Sequence, residues 1–169
     1  MVGKDIYMME GTKQEWPRTP RITRIMPDDK QQTVFTGKNL GAFAHSGDVA
    51  FASDADEGTI YQVVKDGKWL PQPILLVSGL KEPQGMAIAN DGNLLVTENN
   101  VGINGRMLKV DLKTKEITVL AEGLGINREL NTRDWKFLRP QSLVAQASDG
   151  SIYFTEPGFK MFSVLRAQQ

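Results

Sequence analysis

A repeated phrase constrains this chain more than any other feature of its sequence. Residues 83–99 read PQGMAIANDGNLLVTEN, and residues 140–157 read PQSLVAQASDGSIYFTEP. In both, an apolar run leads through a polar turn with Asp-Gly to a second apolar run that ends in Thr-Glu. Such a turn between two β-rich runs is typical of a β-hairpin, because glycine reaches positive φ without strain. The chain therefore contains at least two copies of one hairpin.

The hairpin belongs to a longer repeat with four types of strand. Its second strand recurs at four places, namely 5–11, 48–54, 93–99 and 151–157. A third strand follows each copy, and a fourth strand follows the third in three of the units. The last interval is lengthened by an insertion at 125–137. Four strands per unit, at a period of about 45 residues, are the sequence signature of a β-propeller blade.

The sequence therefore predicts an all-β protein, a β-propeller with four-stranded antiparallel blades in a single domain or fragment spanning 1–169. The predicted blade units lie at about 1–40, 41–80, 81–124 and 138–169, with the loop insertion at 125–137 between the last two. An antiparallel sandwich or barrel with coincidental similarity between its hairpins is the alternative fold.

The predicted units are incomplete at both ends of the chain. The first unit lacks its innermost strand and the last lacks its outermost strand, which leaves about three and a half blades. Open sheet edges promote pairing with other strands. We therefore predict part of a six-bladed propeller. A four-bladed ring closed between its terminal units, and a pairing of two chains through their open blade edges, are the alternatives.

Composition excludes several classes of function. Twenty basic and twenty acidic residues give no net charge, which argues against a nucleic-acid partner that needs a basic surface. The chain has no cysteine, so thiol catalysis, zinc-thiolate sites and disulfides are excluded. No apolar stretch is long enough for a signal peptide or a membrane span. The sequence predicts a soluble protein with no membrane partner and no recognisable targeting signal.

Two further segments carry a family resemblance. The phrase that begins at Pro83 is followed by GRMLKVDLKTKEITVL (105–120), and SDGSIYFTEPGF occupies 148–159. Together they resemble the senescence marker protein/gluconolactonase family, and they share parts with the related NHL-repeat and strictosidine-synthase-like six-bladed propellers. The resemblance covers most of the chain, from 5 to 166. It implies the fold more specifically than the activity, because one fold hosts many functions.

The resemblance also implies a chemistry. Enzymes of that family hydrolyse sugar lactones or related esters with one divalent cation, often calcium, held in the central channel by carboxylate and amide oxygens. The family's ligand at the start of an innermost strand maps onto Gln84 and Gln141, each of which follows a proline, and onto Asn39 in the second unit. Both glutamines depart from the family's Asn or Asp. Their longer side chain and missing charge reduce the affinity for calcium.

Strand pairing gives a separate argument for a site. Antiparallel pairing about the turn at 90–92 predicts that Gln84 lies opposite Glu98. The same geometry places Gln141 near Glu156 and Asn39 near the end of its partner strand. These five residues are the predicted ligand-binding set, and Asn39, Glu98 and Glu156 are its predicted metal ligands. The long connections 11–20, 99–105 and 125–137 are predicted at the same face, and binding sites concentrate on such connections over a rigid scaffold.

A structural explanation competes with this site. The two glutamates could be solvated strand ends, and the two glutamines could pair with backbone groups. If the glutamates bind a ligand instead, replacing either by alanine is expected to impair binding and to leave the melting temperature nearly unchanged. The only histidine, His45, is predicted at the opposite end of the hairpin, so a Ser-His-Asp mechanism has no support.

The leading function from the sequence is a metal-dependent hydrolase of sugar lactones or small esters, by resemblance, with a divalent cation such as calcium as its cofactor. The alternative is a non-catalytic propeller that binds a ligand or a protein at its loop-rich face. A sugar-oxidising quinoprotein is a third candidate, suggested only by VSGLKEPQGMA (77–87). Whether the chain is an enzyme stays open. The predicted partner is a small polar molecule such as a lactone.

Overall fold

The computed structural model describes residues 6–10, 20–99, 104–126, 142–157 and 160–166. Within these ranges the chain forms fourteen β-strands and no helix. The strands are β1 (Ile6–Glu10), β2 (Arg21–Ile25), β3 (Gln31–Thr36), β4 (Leu40–Ser46), β5 (Val49–Asp54), β6 (Thr59–Lys65), β7 (Lys68–Val77), β8 (Pro83–Ile88), β9 (Leu94–Glu98), β10 (Gly105–Val110), β11 (Ile117–Leu124), β12 (Val144–Gln146), β13 (Ile152–Glu156) and β14 (Met161–Leu165).

The strands form four antiparallel sheets in chain order, which we call blades 1 to 4. Blade 1 contains β1 to β3, blade 2 contains β4 to β7, blade 3 contains β8 to β11, and blade 4 contains β12 to β14. Within each blade, every strand pairs with its neighbours in the sequence. The prediction of an all-β chain with three, four, four and three strands in successive blades is confirmed. In the described ranges no helix could cross a lipid bilayer.

Apolar side chains fill the spaces between successive blades. Strand β9 is buried along its whole length, because both of its faces are covered. Leu94 and Val96 pack in a cluster shared with Phe51 of blade 2, whereas Leu95 packs in a cluster shared with Phe154 of blade 4. A third cluster joins blade 1 to blade 2. Alternation along a strand thus sends side chains to two different neighbours.

The predicted hairpin turns form at one end of blades 3 and 4. Gly92 has a φ of 82° and Gly150 a φ of 86°. The Asp91 carboxylate accepts a hydrogen bond from the backbone N–H of Asn93 at 3.1 Å. Asp149 forms the same kind of turn with the backbone N–H of Ser151. We call this end of the blades the turn face.

The innermost strands begin together at the other end of the blades. The Ser53 hydroxyl donates to the Pro83 carbonyl at 3.3 Å, which ties the end of β5 to the beginning of β8. A side chain on Gly85 would meet the Ser142 carbonyl oxygen at the start of blade 4. Strands β5, β9 and β13 therefore end on one face, which we call the strand-end face.

One strand is longer than the sequence indicates. The repeat in the sequence places the fourth strand of blade 2 at ILLVSGL (74–80), but β7 begins at Lys68. Asp66 and Gly67 have φ values of 52° and 70°, so they form a two-residue turn that matches the twist of the flanking strands. Trp69 consequently lies in a strand and not in a connection. Its ring packs 5.1 Å from that of Tyr7 in blade 1.

Candidate functional site

A buried carboxylate ends the second strand of each of three blades at the strand-end face. The three residues are Asp54 in β5, Glu98 in β9 and Glu156 in β13. A buried carboxylate requires partners, because removal of its charge from water is costly. The partners of these three groups decide whether their oxygens are available to a ligand.

Glu98 has protein partners at both carboxylate oxygens. One oxygen accepts the backbone N–H of Lys81 at 2.9 Å. The other accepts the Arg106 Nε–H at 2.6 Å and also pairs with Arg106 Nη2. The carboxylate is fully buried, whereas the arginine remains partly exposed. Glu98 thus fixes the chain segment that leads into blade 3 and pairs with the third strand of its own blade.

Glu156 repeats this arrangement in blade 4. One of its oxygens accepts the backbone N–H of Gly125 at 2.7 Å, and this bond is buried. The other oxygen accepts the Ser163 hydroxyl, on the third strand of the same blade. The position of Glu156 in its blade is that of Glu98 in blade 3. Its side-chain partner differs in position, because Arg106 lies opposite Glu98 whereas Ser163 lies two residues beyond the residue opposite Glu156. The solvated strand-end explanation is wrong for both glutamates, since both are buried.

Asp54 holds the connection into blade 2. Its Oδ2 atom accepts the backbone N–H groups of Lys38 at 2.6 Å and of Asn39 at 3.4 Å. Its Oδ1 atom accepts the amides of Asp56 and Glu57, both at 3.1 Å. Asp54 is not among the five ligand-binding residues predicted from the sequence. An acidic residue at the end of the second strand in every unit is the signal that identifies it.

The predicted pairing of Gln84 with Glu98 is wrong by one residue. Residues 85 to 88 pair as predicted, but Pro83 and not Gln84 lies opposite Glu98, because the ladder is interrupted between Pro83 and Gly85. An extra residue of this kind is a β-bulge, which redirects side chains. Gln84 is buried next to this point. Gln141 lies outside the described residues, as do most of the connections at 11–20, 99–105 and 125–137.

Asn39 lies beside Asp54, as the sequence predicts. Its backbone carbonyl accepts the Ala55 amide at 2.7 Å, and its side-chain amide donates to Asp56 at 2.8 Å. The side chain is half-buried. Asn39 therefore belongs to the connection into blade 2, together with the carboxylate that fixes this connection.

A calcium site needs several converging oxygen atoms, and the glutamates do not supply them in this arrangement. Calcium takes six to eight oxygen ligands. The oxygens of Glu98 and Glu156 engage backbone amides, Arg106 and Ser163. Among the described residues no group of three or more acidic or histidine side chains could hold a metal ion. The residues as placed do not fit the cation that the resemblance implies. Binding of a cation by Asn39, Glu98 and Glu156 stays a prediction.

A different residue has an unused polar atom at the strand-end face. Asn99 follows Glu98, and only 5% of it is exposed. Its Nδ2 donates to the Glu82 carboxylate at 2.7 Å, and its backbone N–H donates to the Glu82 carbonyl at 3.3 Å. Its Oδ1 has no hydrogen-bond partner within the described structure. Buried polar atoms are normally paired, so this amide oxygen is a candidate ligand contact that the sequence argument missed.

Glu82 has an unusual backbone conformation. Its φ is 44°, in the left-handed region that residues with a side chain rarely adopt. The residue lies in the short connection between blades 2 and 3, directly before β8. Strained backbone residues cluster at functional sites. The strain at Glu82 and the unpaired oxygen of Asn99 occur at the same point of the strand-end face.

Comparison with solved structures agrees with the sheet arrangement. No protein family model matches the chain, and no curated protein matches it by sequence. A chain of a nidogen/laminin complex superposes with a TM-score of 0.71 at 18% identity, and the match covers 97% of this chain and 57% of that one. A Bacteroides thetaiotaomicron protein of unknown function gives a TM-score of 0.65 at 19% identity, with coverages of 92% and 37%.

A further neighbour is the virginiamycin B lyase of Staphylococcus aureus, with a TM-score of 0.56 at 17% identity, over 98% of this chain and 53% of the lyase. The chain thus spans between 37% and 57% of the length of these three structures. The neighbours are β-propeller proteins of different functions. At these identities the likeness shows the fold alone. The chain has the β-propeller fold, and its four sheets are consistent with part of such a propeller.

Proposed function

We propose that this chain is a ligand-binding β-propeller whose site lies at the strand-end face around Asn99 and Glu82. The observation that carries the proposal is the buried, unpaired Oδ1 atom of Asn99. This function corresponds to the non-catalytic alternative from the sequence, with a small polar molecule as the partner.

The chemistry of the site defines the class of ligand. A buried acceptor without a donor costs about 1–3 kcal/mol, and a ligand that donates a hydrogen bond to Asn99 Oδ1 removes this cost. The orientation of the amide is set by its Nδ2–Glu82 bond, so the oxygen is held for a donor before any ligand arrives. The ligand therefore carries a hydroxyl or an amine group, as sugars and their lactones do.

Hydrolysis of sugar lactones with a divalent cation, which the family resemblance implies, is the second candidate. The amide oxygen of Asn99 and the carboxylate of Glu82 are the type of donor that calcium prefers, and they lie side by side. Two residues supply fewer oxygens than calcium takes, however. Ligand binding is therefore the first candidate function and calcium-dependent hydrolysis the second.

Calorimetric titration with glucono-δ-lactone and with gluconate tests the binding function. We expect saturable binding of at least one of these probes, and a loss of about tenfold or more in affinity in Asn99→Leu, because the variant removes the acceptor. Gln32→Ala, which shortens an exposed amide on β3, is the matched control and should bind like the parent. Equal affinity in the parent and in Asn99→Leu contradicts the proposed site.

The same titration separates the two candidate functions. Calcium chloride is titrated alone, and lactone opening is followed by proton release with and without EDTA. Hydrolysis that requires calcium, together with calcium binding near one per chain, would replace the binding function by the hydrolase. Lactone binding without hydrolysis supports the proposal.

A further inference from the structure

Blade 4 ends in an exposed apolar sheet face. Tyr153 lies opposite Val164 and Thr155 lies opposite Phe162 in the ladder between β13 and β14, so these side chains share one face. The rings of Tyr153 and Phe162 stack with centroids 5.8 Å apart. The opposite face of the sheet carries Phe154, which packs on blade 3. We call the surface formed by Tyr153, Phe162 and Val164 the tail face.

The equivalent positions in earlier blades are buried against the next blade. Met107 lies opposite Thr97 in blade 3, as Phe162 lies opposite Thr155 in blade 4. Met107 is 0% exposed, and Ile60, at the same register position in blade 2, is also 0% exposed. Phe162 is 65% exposed. The tail face thus has the composition of an inter-blade contact surface, and within the described residues no blade packs on it.

Blade 1 has the complementary surface. Ile6 and Met8 on β1 are equivalent to Leu94 and Val96 on β9, which pack against the preceding blade and are fully buried. Ile6 is 63% exposed, while Tyr7, which alternates with these two residues, packs on blade 2. We call the surface formed by Ile6 and Met8 the head face. The first and last described blades thus carry the two halves of one inter-blade contact.

The innermost strand of blade 4 favours a particular neighbour. Where a blade is followed by another, a glycine allows the two innermost strands to approach closely. A Cβ atom on Gly41 would lie 1.9 Å from the Pro83 carbonyl oxygen, and one on Gly85 would lie 2.3 Å from that of Ser142. The same segment of blade 4 is Ser142–Leu143, without a glycine, and Leu143 is 69% exposed. A four-stranded blade placed after blade 4 would bring its innermost strand against the Leu143 side chain. Blade 1 has no innermost strand in the described residues, so no described strand of blade 1 would occupy the position opposite Leu143.

We propose that two copies of the chain associate head to tail, with the tail face of one copy against the head face of the other. The contact continues the inter-blade packing seen three times within the chain. Because the two surfaces differ, the interface is heterologous. A heterologous interface forms a ring if the rotation closes and an open chain if it does not. This proposal is independent of the ligand site.

Light scattering coupled to size-exclusion chromatography, over a range of protein concentrations, tests the association. We expect the parent to form dimers or larger assemblies, and Phe162→Asp and Met8→Asp each to weaken association by roughly tenfold or more, because either change places an unpaired charge in the contact. An equimolar mixture of the two variants should associate again as a dimer, since one intact head and one intact tail remain.

Val119→Asp is the matched control, because Val119 is an exposed apolar residue on β11 and lies on neither end face. It should associate like the parent. A parent that stays monomeric over the whole range overturns the proposal and leaves a further blade as the occupant of the tail face. Two folded variants that do not associate when mixed also overturn it. Circular dichroism confirms that each variant is folded.

Discussion

Glycines of the hairpin turns stabilise the blades through backbone conformation and not through contacts. At Gly92 and Gly150, φ is above 80°, and an added Cβ atom would meet nothing within 4 Å. Space therefore does not limit the side chain at either turn. The limit is the left-handed conformation, which costs a residue with a side chain roughly 1–2 kcal/mol, and more for one that is β-branched.

Gly150→Val is expected to lower the free energy of unfolding by more than about 1–2 kcal/mol, because valine is β-branched, and Gly92→Val by a similar amount. Ser148→Val places the same side chain in the same turn of blade 4, at a residue without positive φ, so it should change stability by less than about 0.5 kcal/mol. Urea denaturation measures all three. If the two glycine variants match Ser148→Val, the turn conformation does not contribute to stability as argued.

The connection that leads into each of blades 2, 3 and 4 is held by a carboxylate from the second strand of that blade. Asp54, Glu98 and Glu156 accept the backbone N–H groups of Lys38, Lys81 and Gly125, respectively. The repeat of the Thr-Glu ending therefore has a structural cause. Connections between blades lack a strand partner, and a buried carboxylate supplies the acceptor that a strand would otherwise provide.

Glu98→Ala is expected to destabilise the protein by about 2–4 kcal/mol, because it leaves the Lys81 amide without an acceptor and Arg106 without its ion pair. This replaces the expectation of an unchanged melting temperature, which required the carboxylate to face a ligand and not to hold Lys81 and Arg106. Glu98→Gln keeps one acceptor oxygen and should cost less. Thermal and urea unfolding measure both variants. Equal stability of Glu98→Ala and the parent would show that the connection is held by other contacts.

The strand order was predictable from the sequence because the same types of strand recur in the same order in successive units. The second strands of blades 2 and 3 are also covered on both faces, so each is a compact apolar run between turn residues. The geometry at the strand-end face was not predictable in the same way. A bulge at Gln84 shifts the ladder by one residue. One oxygen of Glu98 accepts a backbone N–H group, which no residue type indicates. The unpaired oxygen of Asn99 depends on the orientation of one side chain. Such features depend on the three-dimensional arrangement of the chain and not on the residue types alone.

At the scale of the whole molecule, the turn aspartates give the fold a dependence on pH. The Lys109 ammonium lowers the pKa of Asp91, the backbone amides of Thr114 and Lys113 lower the pKa of Asp111, and the backbone amide of Ser151 lowers the pKa of Asp149. All three groups start from an unfolded value near 3.8. A lowered folded pKa stabilises the fold above the unfolded value, and this stabilisation is lost as the pH falls through the folded pKa.

We therefore expect the melting temperature to fall as the pH drops below 3.8. In the triple variant Asp91→Asn, Asp111→Asn, Asp149→Asn the turns keep an amide oxygen as acceptor but lose their titratable groups. Its melting temperature should be slightly lower at neutral pH and should fall less steeply in acid than that of the parent. Calorimetric scans from neutral to acid pH measure both proteins, and parallel curves for the two would assign the acid sensitivity to other groups.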